Sequence, residues 1–207
     1  MTSRRPALRC RIGALLVVAA TVATACGSKS PREFTGYRRE PAPLVGDLAL
    51  PDLSNPGSDL SFVAEQDHLL VVYFGYTNCP DFCPTTLSDL RLATHRMDEG
   101  AAARIDVAMV TVDPQRDIEI LPDYITSFFD NGHALGTNDA SLLATAAAPF
   151  GASYNVDQAG DGTVDVAHTT SLYVIDDTGH LALTWQFGVS IDDLAADLTQ
   201  LLDSSST

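Results

Sequence analysis

Residues 68–76 (HLLVVYFGY) are an apolar and aromatic run in which no polar residue alternates after His68. A strand with one wet face alternates, so this run predicts a strand covered on both faces, in a sheet sandwiched by helices. The rest of the chain fits around it. Leu87, Leu90, Ala93, Thr94 and Met97 recur at helical spacing, with Gly100 expected to stop that helix. Residues 104–112 read as a second strand ended by Asp113-Pro114. Residues 118–129 read as a helix with Pro122 in its first turn or at a break. Residues 133–136 suit a short strand and 139–148 an Ala-rich helix. Residues 154–166 alternate around Gly160 and Gly162 like a hairpin, and 171–176 form a strong strand. Asp177-Thr178-Gly179 turns the chain into 180–187. Ser190 caps a last helix with Ile191, Leu194, Leu198, Leu201 and Leu202 on one face. Residues 44–53 suit an opening strand or hairpin.

Two parallel crossovers followed by a terminal hairpin and helix define an α/β fold. It is a thioredoxin-like mixed sheet flanked by helices, with an N-terminal extension and an inserted hairpin. Charge narrows the function. The 207 residues carry 12 Lys+Arg against 27 Asp+Glu, a net of −15. Eight of the basic side chains and only two acids lie in residues 1–40, so 41–207 has a net charge of −21. A body this acidic repels phosphate backbones, which excludes nucleic acid as a partner.

Residues 1–25 predict an export signal. Arg4, Arg5, Arg9 and Arg11 precede an apolar stretch over 12–25, short for a bilayer span of about 20 residues but suited to a signal sequence. It ends Ala23-Thr24-Ala25-Cys26-Gly27-Ser28, which resembles a bacterial lipobox with Cys26 as acyl acceptor, although Ala23 stands where Leu is commoner. An ordinary cleaved signal is the alternative. Residues 26–43, with three Pro and no apolar periodicity, suit an extended, flexible tether, followed by a folded domain over 44–204. The expected location is the outer face of a cell membrane.

Of four cysteines, Cys10 leaves with the signal and Cys26 is the lipidation candidate, which leaves Cys79 and Cys83. In an exported protein such a pair is a disulfide, a redox couple or a metal site. A purely structural disulfide gains little from so short a loop. The pair sits in Thr77-Asn78-Cys79-Pro80-Asp81-Phe82-Cys83-Pro84, where the first core strand turns into a helix. Thiols at i and i+4 point the same way at a helix start, whose N–H groups and dipole favour thiolate. Pro80 and Pro84 suit a first turn that needs no backbone donor. Two thiolates are soft ligands that select Cu(I), Zn or an iron–sulfur cluster, and with no further Cys a cluster or a Cys-rich zinc site is out. Of five His, His68, His95, His133 and His180 read as surface residues. His168, in Asp165-Val166-Ala167-His168-Thr169-Thr170 before the 171–176 strand, occupies the position that faces the redox cysteines in thioredoxins. It is either a third ligand or a hydrogen-bonded loop His.

The run FGYTNCPDFCPTTLSDL, the later TVDPQRD and the loop DVAHTTSLYVIDDTG resemble the SCO/SenC family over roughly residues 41–202. Its members are membrane-tethered, thioredoxin-like copper-binding proteins of cytochrome c oxidase assembly. The resemblance implies Cys79, Cys83 and His168 as ligands of one copper ion, Cu(I) or Cu(II). It also implies the CuA domain of oxidase subunit II and a copper donor protein as partners. Asp113 either orients His168 or forms a local turn with Arg116. Asp81 is a dipole partner or a tuner of the thiols. Asp157, Asp161 and Asp165 lack calcium-loop spacing and read as a solvated hairpin. A thiol–disulfide reductant using Cys79 and Cys83 as a redox-active pair is the alternative function. A peroxidase is a distant third, because the Thr that would activate its Cys has no counterpart here.

Overall fold

The computed structural model describes residues 32–205 and, apart from them, Thr2. The compact unit starts at Glu33. Its elements in order are β1 (Ala49–Pro51), β2 (Asp59–Ser61), β3 (Leu69–Gly75), α1 (Phe82–Thr94), α2 (Glu99–Ala102), β4 (Ile105–Thr111) and α3 (Pro114–Asp117). Next come α4 (Leu121–Thr126), β5 (His133–Leu135), α5 (Ala140–Ala147), β6 (Tyr154–Gln158), β7 (Val164–His168), β8 (Leu172–Ile175), β9 (Leu181–Trp185) and α6 (Ile191–Ser205). The main sheet runs β5-β4-β3-β8-β9, with β3, β4 and β5 parallel and β8 and β9 antiparallel. This is the predicted thioredoxin-like mixed sheet.

All seven residues of β3 are buried, and the period of two sorts them. Leu69, Val71 and Tyr73 face a cluster with Leu87 and Leu90 of α1, Leu121 and Ile125 of α4, and Leu194 and Leu198 of α6. Leu70, Val72 and Phe74 face Leu50, Phe62, Leu143 and Phe150 on the other side. Both cysteines belong to the first face. Ser190 Oγ accepts from Asp193 N–H and donates to its carboxylate, a reciprocal cap that starts α6.

Several boundaries differ from expectation. Helix α1 ends at Thr94, with His95 as its C-cap. Gly100 instead lies inside the short α2, in an ordinary helical conformation, because Asp98 starts a fresh turn there. The 118–129 helix begins only at Leu121, with Pro122 in its first turn, and α3 fills part of the preceding loop. The inserted hairpin continues through His168, which ends β7 and is no loop residue.

Residues 33–43, part of the segment expected as a tether, make specific contacts with the domain. Thr35 and Gly36 donate their backbone N–H groups to the buried Asp197 carboxylate, which also accepts from Trp185 Nε1. Tyr37 pairs with Thr184 at the edge of β9, and Arg39 donates to the carbonyls of Pro149 and Phe150. These attachments are made by main chain and Arg, which apolar periodicity does not register. The predicted signal, Cys10 and Cys26 lie outside the described residues. No helix among the described residues is long and apolar enough to cross a membrane.

Candidate metal centre

At the carboxyl end of β3, Gly75 leaves room for the Tyr73 ring and the Cys83 sulfur. A Cβ there would stand 2.7 Å from Tyr73 Cε1 and 3.0 Å from Cys83 Sγ. Thr77 is then tied down by Asp117, a fully buried carboxylate in α3. Its Oδ2 accepts from Thr77 N–H at 3.0 Å and from Thr111 Oγ1 at 2.7 Å, and its Oδ1 accepts from Thr77 Oγ1 at 2.6 Å. The turn that carries Cys79 is thereby fixed to β4. Cys79 and Pro80 precede the helix, which starts at Phe82, so only Pro84 sits in its first turn. Cys83 N–H donates to Cys79 Sγ at 3.3 Å, so the sulfur receives a helix-start N–H where a capping oxygen would stand.

From the opposite side, the β6–β7 hairpin delivers His168. Its Nε2 lies 3.6 Å from Cys83 Sγ, and its Nδ1 is 3.0 Å from the carbonyl of Thr169. A carbonyl only accepts, so Nδ1 carries the hydrogen and Nε2 presents its lone pair to the sulfur. Tyr73 and Tyr76 flank the imidazole edge-on, with centroids at 6.0 and 5.6 Å.

The three groups differ in protonation. Burial pushes Cys79 up, but hydrogen bonds from the Cys83 backbone and side chain and the backbone N–H groups of Asp81 and Phe82 outweigh it. Its pKa ends below the ordinary thiol value. Burial pushes Cys83 up to about 12, against the Tyr76 backbone N–H and the Tyr73 hydroxyl, with the neighbouring Cys79 adding to the rise. The expected thiolate stabilisation thus goes to Cys79 alone. Burial lowers His168 against its backbone partners at Thr169 and Phe74, which keeps the imidazole neutral and able to coordinate.

Cys79, Cys83 and His168 offer donor atoms within 4.8 Å of one another. An ion bonded to three such donors at about 2.0–2.3 Å spaces them about 3.5–4 Å apart, so the group fits a single ion after small side-chain movements. Two soft sulfurs and one imidazole suit copper in either oxidation state. Both thiols are free.

The other expected residues have plainer roles. Asp113 pairs with Arg116 Nε, and the Nδ1 of His168 is taken by Thr169, so the local turn accounts for Asp113. Asp81 is the N-cap residue of α1 but makes no side-chain cap; its contribution to Cys79 is a backbone N–H. Among the remaining histidines, His68 and His133 are half-buried against Asp106 and Asp52 rather than free on the surface. Asp157 and Asp165 pair across the exposed hairpin with Asp161 at its tip, as expected of a solvated ribbon. The residue that reading the sequence missed is Asp117. It stands in the same Asp-Pro-Gln-Arg-Asp run as Asp113; both carboxylates are buried, but Asp113 pairs with Arg116 while Asp117 reaches Thr77 in the turn before Cys79.

A family model described as SCO1/SenC matches residues 57–203. An SCO2-like protein of Rickettsia prowazekii is 30% identical over 130 residues, covering 61% of this chain and 62% of that one. The chain spans about two thirds or less of the length of the curated relatives it matches. Among solved structures, apo Sco1 of Thermus thermophilus is 29% identical with a TM-score of 0.65, covering 84% of this chain and 96% of that one. ScoI of Bradyrhizobium japonicum with copper bound is 25% identical with a TM-score of 0.63, covering 74% and 96%.

Proposed function

This chain belongs to the SCO1/SenC family, and from that premise we propose that it is a copper chaperone supporting assembly of the CuA centre of cytochrome c oxidase. The observation that carries this reading is the convergence of Cys79, Cys83 and His168 at the start of α1. In it, the Cys79 and Cys83 sulfurs hold Cu(I), and His168 Nε2 completes the set for Cu(II). Copper is the cargo. Exposed Phe82 and Asn78 leave the turn open to a partner. The reading extends to a lipid anchor at Cys26 on the outer face of the membrane, supported by the signal-like leader and lipobox-like residues 23–28. Labelling with a fatty-acid probe, abolished by Cys26→Ser, is the expected result there.

The test is transfer. Copper-loaded protein is mixed with the apo CuA domain of an oxidase subunit II whose cysteines are reduced. The expected outcome is loss of copper from this chain with growth of the CuA absorption. A second reading is favoured by the two free thiols and the lowered Cys79 pKa: reduction of a CuA-site disulfide. Cys79 would attack the target disulfide, releasing one target thiol and forming a mixed disulfide; Cys83 would then attack the Cys79 sulfur and displace the second target thiol, leaving a Cys79–Cys83 disulfide. Target reduction without copper movement would replace the chaperone reading with this one.

A further inference from the structure

Tyr73 is fully buried, and its hydroxyl has no hydrogen-bond partner; the same holds for the hydroxyl of buried Thr86. An unpaired buried hydroxyl costs roughly 1–3 kcal/mol, so two together call for an explanation. Their position supplies one. The Tyr73 ring edge and Cys83 Sγ both stand within 3.0 Å of the place a Cβ on Gly75 would take. The same ring packs edge-on against His168. Thr86 comes three residues after Cys83 on α1 and so shares its face. The Tyr73 hydroxyl stands beside both the Cys83 sulfur and the Thr86 hydroxyl, near enough for a loose hydrogen-bonding contact with each, though neither reaches the geometry of a full bond. A protonated thiol is a weak acceptor, whereas a metal-bound thiolate is a strong, charged one.

We propose that Tyr73 is a positioning residue that donates its O–H to the Cys83 sulfur when that sulfur binds copper as thiolate, with Thr86 donating in turn to the Tyr73 oxygen. The inference rests on the copper reading of the centre. A hydrogen bond to a ligating sulfur withdraws electron density from it, and such contacts set the potential of copper–thiolate sites. The pair therefore favours Cu(I) over Cu(II): the loose contact of the Tyr73 hydroxyl with the Cys83 sulfur in the metal-free protein tightens when the metal turns that sulfur into a charged acceptor.

The experiment compares the full chain with Tyr73→Phe, which keeps the ring and removes the oxygen. In the metal-free state Tyr73→Phe is expected to be at least as stable as the parent to urea. Loaded with copper, it keeps one ion per chain, but its sulfur-to-Cu(II) band moves to longer wavelength. Its preference for Cu(I) over Cu(II) falls roughly tenfold, the size of one hydrogen bond to a charged acceptor. Thr86→Val gives a smaller shift in the same direction and decides the matter if Tyr73→Phe fails to fold. Spectra and potentials that superimpose on the parent's overturn the inference while leaving the copper centre intact. A parent chain that binds no copper removes the centre and the inference with it.

Discussion

The sulfur side of the centre and its imidazole side are anchored very differently. Cys83 is fully buried in the main core, Cys79 nearly so, and the turn between β3 and α1 is clamped by the three hydrogen bonds of Asp117. His168 stands instead at the end of a two-stranded ribbon separate from the main sheet, most of whose residues face solvent. The ribbon is held near its base by Tyr154 and Val166 against the core and by the Ser153–Thr169 hydrogen bonds. Local opening is cheap where few apolar contacts are buried. On the proposed copper reading, the comparison makes the sulfur pair a fixed platform and the imidazole a detachable third donor. Such a division suits an ion that must be held and then given up.

The largest effects fall on the platform. Cys83→Ser or Cys79→Ser is expected to abolish stoichiometric Cu(I) binding in a competition titration; retention would show that two sulfurs are not the minimum set. Asp117→Ala should cost about 3 kcal/mol in urea unfolding, because it strands the Thr77 N–H and buried hydroxyls. A cost below about 0.5 kcal/mol would mean that the turn holds itself without the clamp.

On the imidazole side, His168→Ala is expected to lose the sulfur-to-Cu(II) band while Cu(I) affinity stays within about tenfold. Equal loss of both ions would erase the distinction between platform and third ligand. The smallest effect belongs to the ribbon surface. Asp165→Asn relieves a like-charge pair opposite Asp157 and should stabilise by no more than about 0.5 kcal/mol, leaving copper binding unchanged.

The two thiols also separate by pH. Cys83 ionises at about 12 in the fold against an ordinary value of 9.0. Between those values the unfolded chain has released the proton that the folded one keeps, so this group makes stability fall as pH rises from about 9 to 12. The Cys83→Ala variant should show a flatter decline over that window. At about pH 8 an alkylating reagent should modify Cys79 well before Cys83; equal rates would contradict the assigned environments.

Much of the fold and of the centre was legible in the chain, for physical reasons. The doubly covered strand, the Cys-x-x-x-Cys turn and the capped α6 each write a periodic or turn-specific pattern into adjacent residues. His168 was singled out by its place ahead of the 171–176 strand, but that place alone left a ligand and a hydrogen-bonded loop His open, and only the family resemblance chose between them. Asp117, Tyr73 and Thr86 were not singled out. Tyr73 sits in an apolar run where an aromatic ring reads as core, and its hydroxyl gains meaning only from the sulfur that α1 brings beside it. The attachment of residues 33–43 was hidden for a related reason, since backbone N–H groups held by Asp197 leave no trace in side-chain pattern.

The most direct test of the central claim is X-ray absorption at the copper edge of the loaded protein. The account predicts two sulfur donors at about 2.3 Å and one imidazole nitrogen at about 2.0 Å around Cu(II). A shell of nitrogen and oxygen alone, with Cys79 and Cys83 joined as a disulfide, would contradict it.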